Sequence, residues 1–206
     1  MAELRERAKL ARLAAQLNAQ SRYAGRVPAL VLLTDDVRLP APATAIRALP
    51  RGSLVILRAQ DRARREQLVQ LCTPICRARF HLLLVADDPE LASRCGADGL
   101  HLPEARADAL LKWRVRRPDW FISYAAHDLR ALHHAAACDA DAALLSPVFA
   151  TKSHPGTHGL GPFRLAALLR AATLPVYGLG GIDAQSCLRV RGLPLAGAAA
   201  IGALAP

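Results

Sequence analysis

Aromatic side chains are scarce in this chain, only 4 % of 206 residues, and lysine supplies just three of its 27 basic groups. Little is therefore available to stack nucleobases on. The net charge of +10 comes from 24 arginines spread along the whole length instead of gathered in one tract. A nucleic-acid groove concentrates its charge on one face, so no nucleic-acid partner is expected. No apolar run approaches the roughly 20 residues that span a bilayer, and no membrane association is expected. The opening stretch MAELRERAKLARLAAQLNAQ lacks an apolar centre and carries two glutamates. That argues against a secretory signal or a transit peptide and for an amphipathic helix over 1–20. The five cysteines (Cys72, Cys76, Cys95, Cys138, Cys187) are odd in number and contain no CxxC pair. Buried thiols in a reducing cytoplasm fit that pattern better than disulfides or a zinc site, and Pro74 between Cys72 and Cys76 reinforces the point.

What the chain does have is 52 % apolar residues arranged in short runs. ALVLLT (29–34), SLVILR (53–58), FHLLLVA (80–86), GLHL (99–102), WFISY (120–124), AALLS (142–146), PVYGL (175–179) and GAAAI (197–201) read as strands. Helical patterns lie between them at 43–49, 61–79, 89–95, 105–116, 128–138, 162–172 and 183–191. Asp88 before Pro89, Asp128 and Asp183 stand where N-caps belong. Nearly continuous apolar strands separated by helices indicate a parallel sheet covered on both faces. Eight of them predict a (β/α)8 barrel occupying 1–206 as one domain, near the lower size limit of that architecture. A doubly wound open sheet is the competing arrangement. The last strand ends so close to Pro206 that the final helix is missing or truncated, and the leading helix is placed to replace it.

In such a barrel, chemistry belongs to the loops after the strands' C-terminal ends. Those loops hold Thr34-Asp35-Asp36, Arg58, Asp87-Asp88, His101, His127, the segment SPVFATKSHPGTHGLGP (146–162) and GLGGI (178–182). Gly180 and Gly181, with Ile201-Gly202 after the last strand, offer backbone donors to an anion, the usual phosphate position of this barrel. The 146–162 loop adds Thr151, Lys152, Ser153, His154 and His158, suited to a phosphate or a polar ring substituent; a plain polar loop is the alternative. His154 and His158 are four apart, but Pro155 and Gly156 prevent a helical metal pair. His127 can transfer protons near neutral pH or merely bond to backbone. His101 alternates with Leu100 and Leu102 and reads as a structural histidine. His133 and His134 read as solvent-facing. Arg58 is placed for phosphate or for a rim ion pair with Asp35, Asp36 or Asp87. Asp87 alone would make a poor magnesium site, and Asp88 is more simply a cap.

The motifs LVLLTDD, LVILRAQ, LLLVADDPELASRCGADGLHL, AAHDLRAL, DAALLSPVFATKSHPGTHGLGP, LPVYGLGGI and AGAAAIGAL, in this order over about 29–204, resemble the thiamine-phosphate synthase/TenI superfamily. The resemblance implies a barrel that binds a thiazole phosphate. In the synthase branch it also implies an aminopyrimidine diphosphate, Mg2+ and release of pyrophosphate. In some TenI relatives it implies a histidine that tautomerises the thiazole carboxylate. Thr151, Ser153, Gly181 and Ile201-Gly202 match the thiazole-phosphate side. The diphosphate side departs from the pattern. Gln-x-Arg-x-Lys becomes Ile56, Arg58 and Gln60; Asn-Asp becomes Ala86-Asp87; the second magnesium aspartate falls on Arg106. Ser-Ala-His becomes Ala125-Ala126-His127, and His154 stands in place of lysine. The resemblance thus implies a TenI-like protein needing no cofactor, with His127 as acid/base. A synthase using Mg2+ at Asp87 is the alternative, and a non-catalytic binding or regulatory protein a third reading. A homo-oligomer is compatible with all three.

Overall fold

In a computed structural model, which describes residues 2–151 and 158–205, the apolar runs close into a barrel of eight parallel strands in sequence order. They are β1 (Leu30–Leu33), β2 (Leu54–Leu57), β3 (Leu82–Ala86), β4 (Gly99–Leu102), β5 (Phe121–Ala126), β6 (Ala142–Leu145), β7 (Val176–Gly178) and β8 (Gly197–Ala200). Pairing of Leu30 with Ala198 through Leu32 with Ala200 closes β1 on β8, which excludes the open sheet. Every residue of β1, β2, β4, β6 and β8 is buried, as strands walled on both faces must be.

The outer wall consists of α1 (Ala2–Gln20), α2 (Pro42–Ala48), α3 (Arg62–Arg79), α4 (Pro89–Cys95), α5 (Ala107–Arg116), α6 (Leu129–Ala137) and α7 (Gly161–Ala171). Asp88 and Asp128 cap as expected, accepting from Leu91 N at 3.0 Å and Ala131 N at 2.8 Å. The helix expected over 183–191 is instead a 3-10 helix, Ser186–Val190. Asp183 folds an Asx turn onto the amides of Gln185 and Ser186, and Gly192 at φ +89° turns the chain away.

Among the described residues a 3-10 turn, Gly202–Leu204, follows β8. Helix α1 packs on β8 and β1, burying Leu10, Leu13, Ala14 and Leu17. Buried Asn18 ties it to the foot of the barrel. Its Nδ2 donates to Ala196 O at 2.7 Å and Val27 O at 3.2 Å, while Oδ1 accepts from Gly25 N at 3.1 Å. The five cysteines are free. Burial pushes the thiols of Cys72 and Cys187 up to about 11 and that of Cys76 to about 12, so they are inert packing groups.

Candidate active site

The strands' C-terminal ends gather the polar residues into four groups around one mouth. Above β1 and β2, Thr34 Oγ1 donates to Arg58 O and accepts from Arg58 N, both at 2.7 Å. Arg58 reaches Asp35 at 3.3 Å, and Arg38 reaches the same carboxylate at 2.9 Å. The hydrogen bond from Arg38 holds the Asp35 carboxyl well below the usual range. Arg58 therefore realises the rim ion pair, although half its side chain stays exposed and available to an anion.

Above β3 and β4, Asp87 sits in the left-handed region at φ 51°, a conformation aspartate tolerates better than most residues. Its amide donates to His101 O at 2.9 Å, and its carboxylate accepts from Arg106 at 3.1 Å. Asp88 is consumed by its capping role and by Arg65 at 3.3 Å. His101 lies inside the barrel with Nδ1 2.8 Å from Ser123 Oγ. Loss of water, with the Arg58 cation as a smaller cause, pushes its pKa down to about 4.

Above β5 and β6, His127 Nδ1 lies 2.7 Å from Ser146 O. A carbonyl only accepts, so Nδ1 carries a proton, and in the neutral form of the ring the bare nitrogen is then Nε2. Glu104 Oε2 stands 3.9 Å from that nitrogen, buried and with no hydrogen-bond partner among the described residues. Sequence reasoning missed Glu104. The signal was available, since Glu104 lies two residues beyond β4 in a loop on the chemical face. Ser146 was also missed as a partner of His127, because it acts through its backbone.

The fourth group joins β6 to β7. Val148 N donates to Leu179 O at 2.8 Å and Phe149 N to Gly180 O at 3.0 Å, while Leu160 N and Gly161 N return to Pro147 O and Val148 O. The base of the long loop is thus stapled shut against the glycine turn. Gly180 and Gly181 have φ +88° and +64°, and a β-carbon on Gly181 would stand 2.7 Å from Phe149 Cβ and 2.8 Å from Ala150 O. Thr151 borders Gly180, its Cγ2 3.4 Å from the place a β-carbon would take. Ile201, just after β8, is buried, and Gly202 opens to space. Lys152, Ser153 and His154 lie outside the described residues. His134, read as solvent-facing, instead packs on Tyr124, with Nε2 3.0 Å from Ala107 O.

This geometry meets a matching sequence record. Residues 7–204 match the TMP-TENI family, described as thiamine monophosphate synthase. The chain belongs to that family. A relative in Aquifex aeolicus named "Putative thiamine-phosphate synthase 2" is 34 % identical over 142 residues, covering 68 % of this chain and 76 % of the relative. The thiamine biosynthesis bifunctional protein ThiED of Geobacter sulfurreducens is 32 % identical over 153 residues, 74 % of this chain but only 31 % of that longer protein. The solved structure of thiamine phosphate pyrophosphorylase from Pyrococcus furiosus superposes with TM-score 0.72 over 90 % of this chain and 87 % of that one, at 20 % identity. The barrel is accordingly the thiamine-phosphate synthase barrel, and the chain is a thiamine-biosynthesis family protein.

One feature of this family member sets its pH response. His101 and His81 are both buried and neutral; His81 accepts from Ser53 N and bonds Ile46 O, and burial lowers its pKa also. Below their ordinary value near 6.5 the unfolded chain takes up protons that the folded chain refuses, so stability falls with falling pH. The contribution is complete above about pH 6.5. For His101 it declines by on the order of 3 kcal/mol by about pH 4. Urea denaturation between pH 7.5 and 4.5 should show this slope, and His101→Gln should flatten it; an unchanged slope in that variant would refute the assignment.

Proposed function

We propose that this family member binds a thiazole phosphate and moves a proton on it, in the manner of a TenI-like tautomerase. The observation that carries the reading is the ion pair of Arg106 with Asp87 at 3.1 Å. In the synthase pattern two carboxylates meet here to hold Mg2+ against a diphosphate; here a guanidinium faces the remaining carboxylate. Among the described residues no group of three or more acidic, histidine or cysteine side chains offers a metal cage. The residues therefore do not fit Mg2+.

The thiazole-phosphate side matches the family pattern better than the diphosphate side. The Gly180-Gly181 turn packs against Pro147, Phe149 and Thr151, and its backbone N–H groups, with those beside the open Gly202, are the donors we assign to phosphate oxygens. Ser153 is assigned to the same phosphate by sequence alone, and His154 stands where the synthase pattern has lysine. Arg58 adds a cation at the opposite rim. His127 Nε2 takes the proton from one position of the bound thiazole and returns it to another, so the net charge of ring and histidine is restored at the end of each turnover. The Ser146 carbonyl keeps the ring in the tautomer that can accept, and Glu104 flanks the nitrogen that changes charge.

A second reading, condensation of the thiazole phosphate with a pyrimidine diphosphate, draws support from the synthase names of the relatives. Calorimetric titration with thiazole phosphate, with and without Mg2+, separates the two. The tautomerase reading expects saturable binding indifferent to EDTA and no thiamine phosphate from the two phosphorylated halves. Mg2+-dependent thiamine phosphate and pyrophosphate would replace it with the synthase reading, and failure to bind would remove both.

A further inference from the structure

Away from the mouth, α1 and α2 leave between them a crevice of about 390 Å3, within the range of roughly 300–1,000 Å3 typical of small-molecule sites. It opens on the outer wall toward the opposite end of the barrel: Leu30 begins β1, Leu49-Pro50 lead into β2, and Arg79 ends α3. Among the described residues alanine and leucine side chains form most of its lining, and the charged groups are Arg7, Arg12 and Arg79. No described acidic residue lines it, and none of the three arginines forms an ion pair with a described residue. Two buried donors, Arg7 Nε and Arg79 Nε, have no hydrogen-bond partner among the described residues. Arg79 is nevertheless held in place, since Nη2 donates to Leu49 O at 2.7 Å.

Buried donors normally find acceptors, and leaving one unmade is costly. Cations around an apolar cleft suit a ligand with one anionic head and an apolar body. We infer that this crevice is a second binding site, distinct from the mouth, for an amphipathic organic anion. Its carboxylate or phosphate head would meet the guanidinium groups of Arg7 and Arg79, cations suited to either anion. The apolar body would lie along Ala8, Ala45 and Leu204.

The inference stands on different residues from the proposed thiazole chemistry and is tested independently of it. The probes are octanoate and octyl phosphate, titrated calorimetrically and by thermal melting into the full chain, with octan-1-ol and inorganic phosphate as controls. Saturable binding of an alkyl anion is expected, with a raised melting temperature, undiminished by saturating thiazole phosphate and absent with both controls. Arg7→Gln should weaken it about tenfold or more. Arg12→Gln, on the exposed rim, should weaken it less and provides a folded comparison. Absence of binding, equal binding of octan-1-ol or inorganic phosphate, competition by thiazole phosphate, or unchanged affinity in both variants would each overturn the inference.

Discussion

His127→Ala should reduce proton transfer on bound thiazole phosphate by roughly 10²–10⁴-fold, the range a positioned acid/base contributes, while leaving the ligand's affinity nearly unchanged. The split between rate and binding follows from geometry. His127 is half-exposed at the β5–β6 rim, and its hydrogen bond goes to the Ser146 carbonyl, so removing it cuts no link to the glycine turn. His127→Asn separates ring position from proton transfer and should be as inactive as the alanine variant. Glu104, 3.9 Å from His127 Nε2, would act through His127 as a positioning residue. Glu104→Gln should keep most of the affinity while altering the pH profile of the rate, whereas a merely structural role would move stability and leave the profile alone. A His127→Ala enzyme as fast as the parent would end the assignment.

Gly181→Ala should cost about 2–5 kcal/mol of stability and weaken thiazole phosphate binding with it. Two penalties add. The left-handed backbone at φ +64° costs an L-residue roughly 1–2 kcal/mol. The new methyl meets Phe149 Cβ at 2.7 Å and Ala150 O at 2.8 Å, an overpacking of typically 1–3 kcal/mol. Relief requires pushing the stapled base of the long loop away from β7, which spreads the cradle. Gly202→Ala is the matched comparison, because nothing lies within 4 Å of its β-carbon position; its stability should change by less than about 0.5 kcal/mol. Urea denaturation of both variants beside calorimetry decides the matter, and equal stabilities would contradict the steric account.

The barrel was legible because its signals are local and repeated. A run such as LVLL has no polar face at all, which only a strand walled on both sides allows. Asp88-Pro89 and Asp128 announce helix starts through capping chemistry that needs no tertiary knowledge. The stretch 183–191 misled for a related reason: its apolar spacing is helical, but Asp183 and Gly192 at its two ends are geometric constraints that periodicity does not register. The site was half legible. Gly181, Thr151 and His127 stand on the expected loops because the strand ends fix them. The partners were harder to see. Arg106 on Asp87 joins residues 19 apart, and Glu104 beside His127 joins two separate loops. Such pairings depend on which loops the closed barrel makes neighbours, and no single window of sequence contains that information.

Helix α1 also sets the order in which the barrel can be finished. Leu10, Ala14 and Leu17 are buried where α1 packs on β8 and β1, and the hydrogen bond from Asn18 to Ala196 spans 178 residues of sequence. Contacts of such separation form late and slowly, so the apolar stripe of α1 is covered only once β8 is in place. Closing the barrel and hiding that stripe are one event, and α1 acts as the latch on β8.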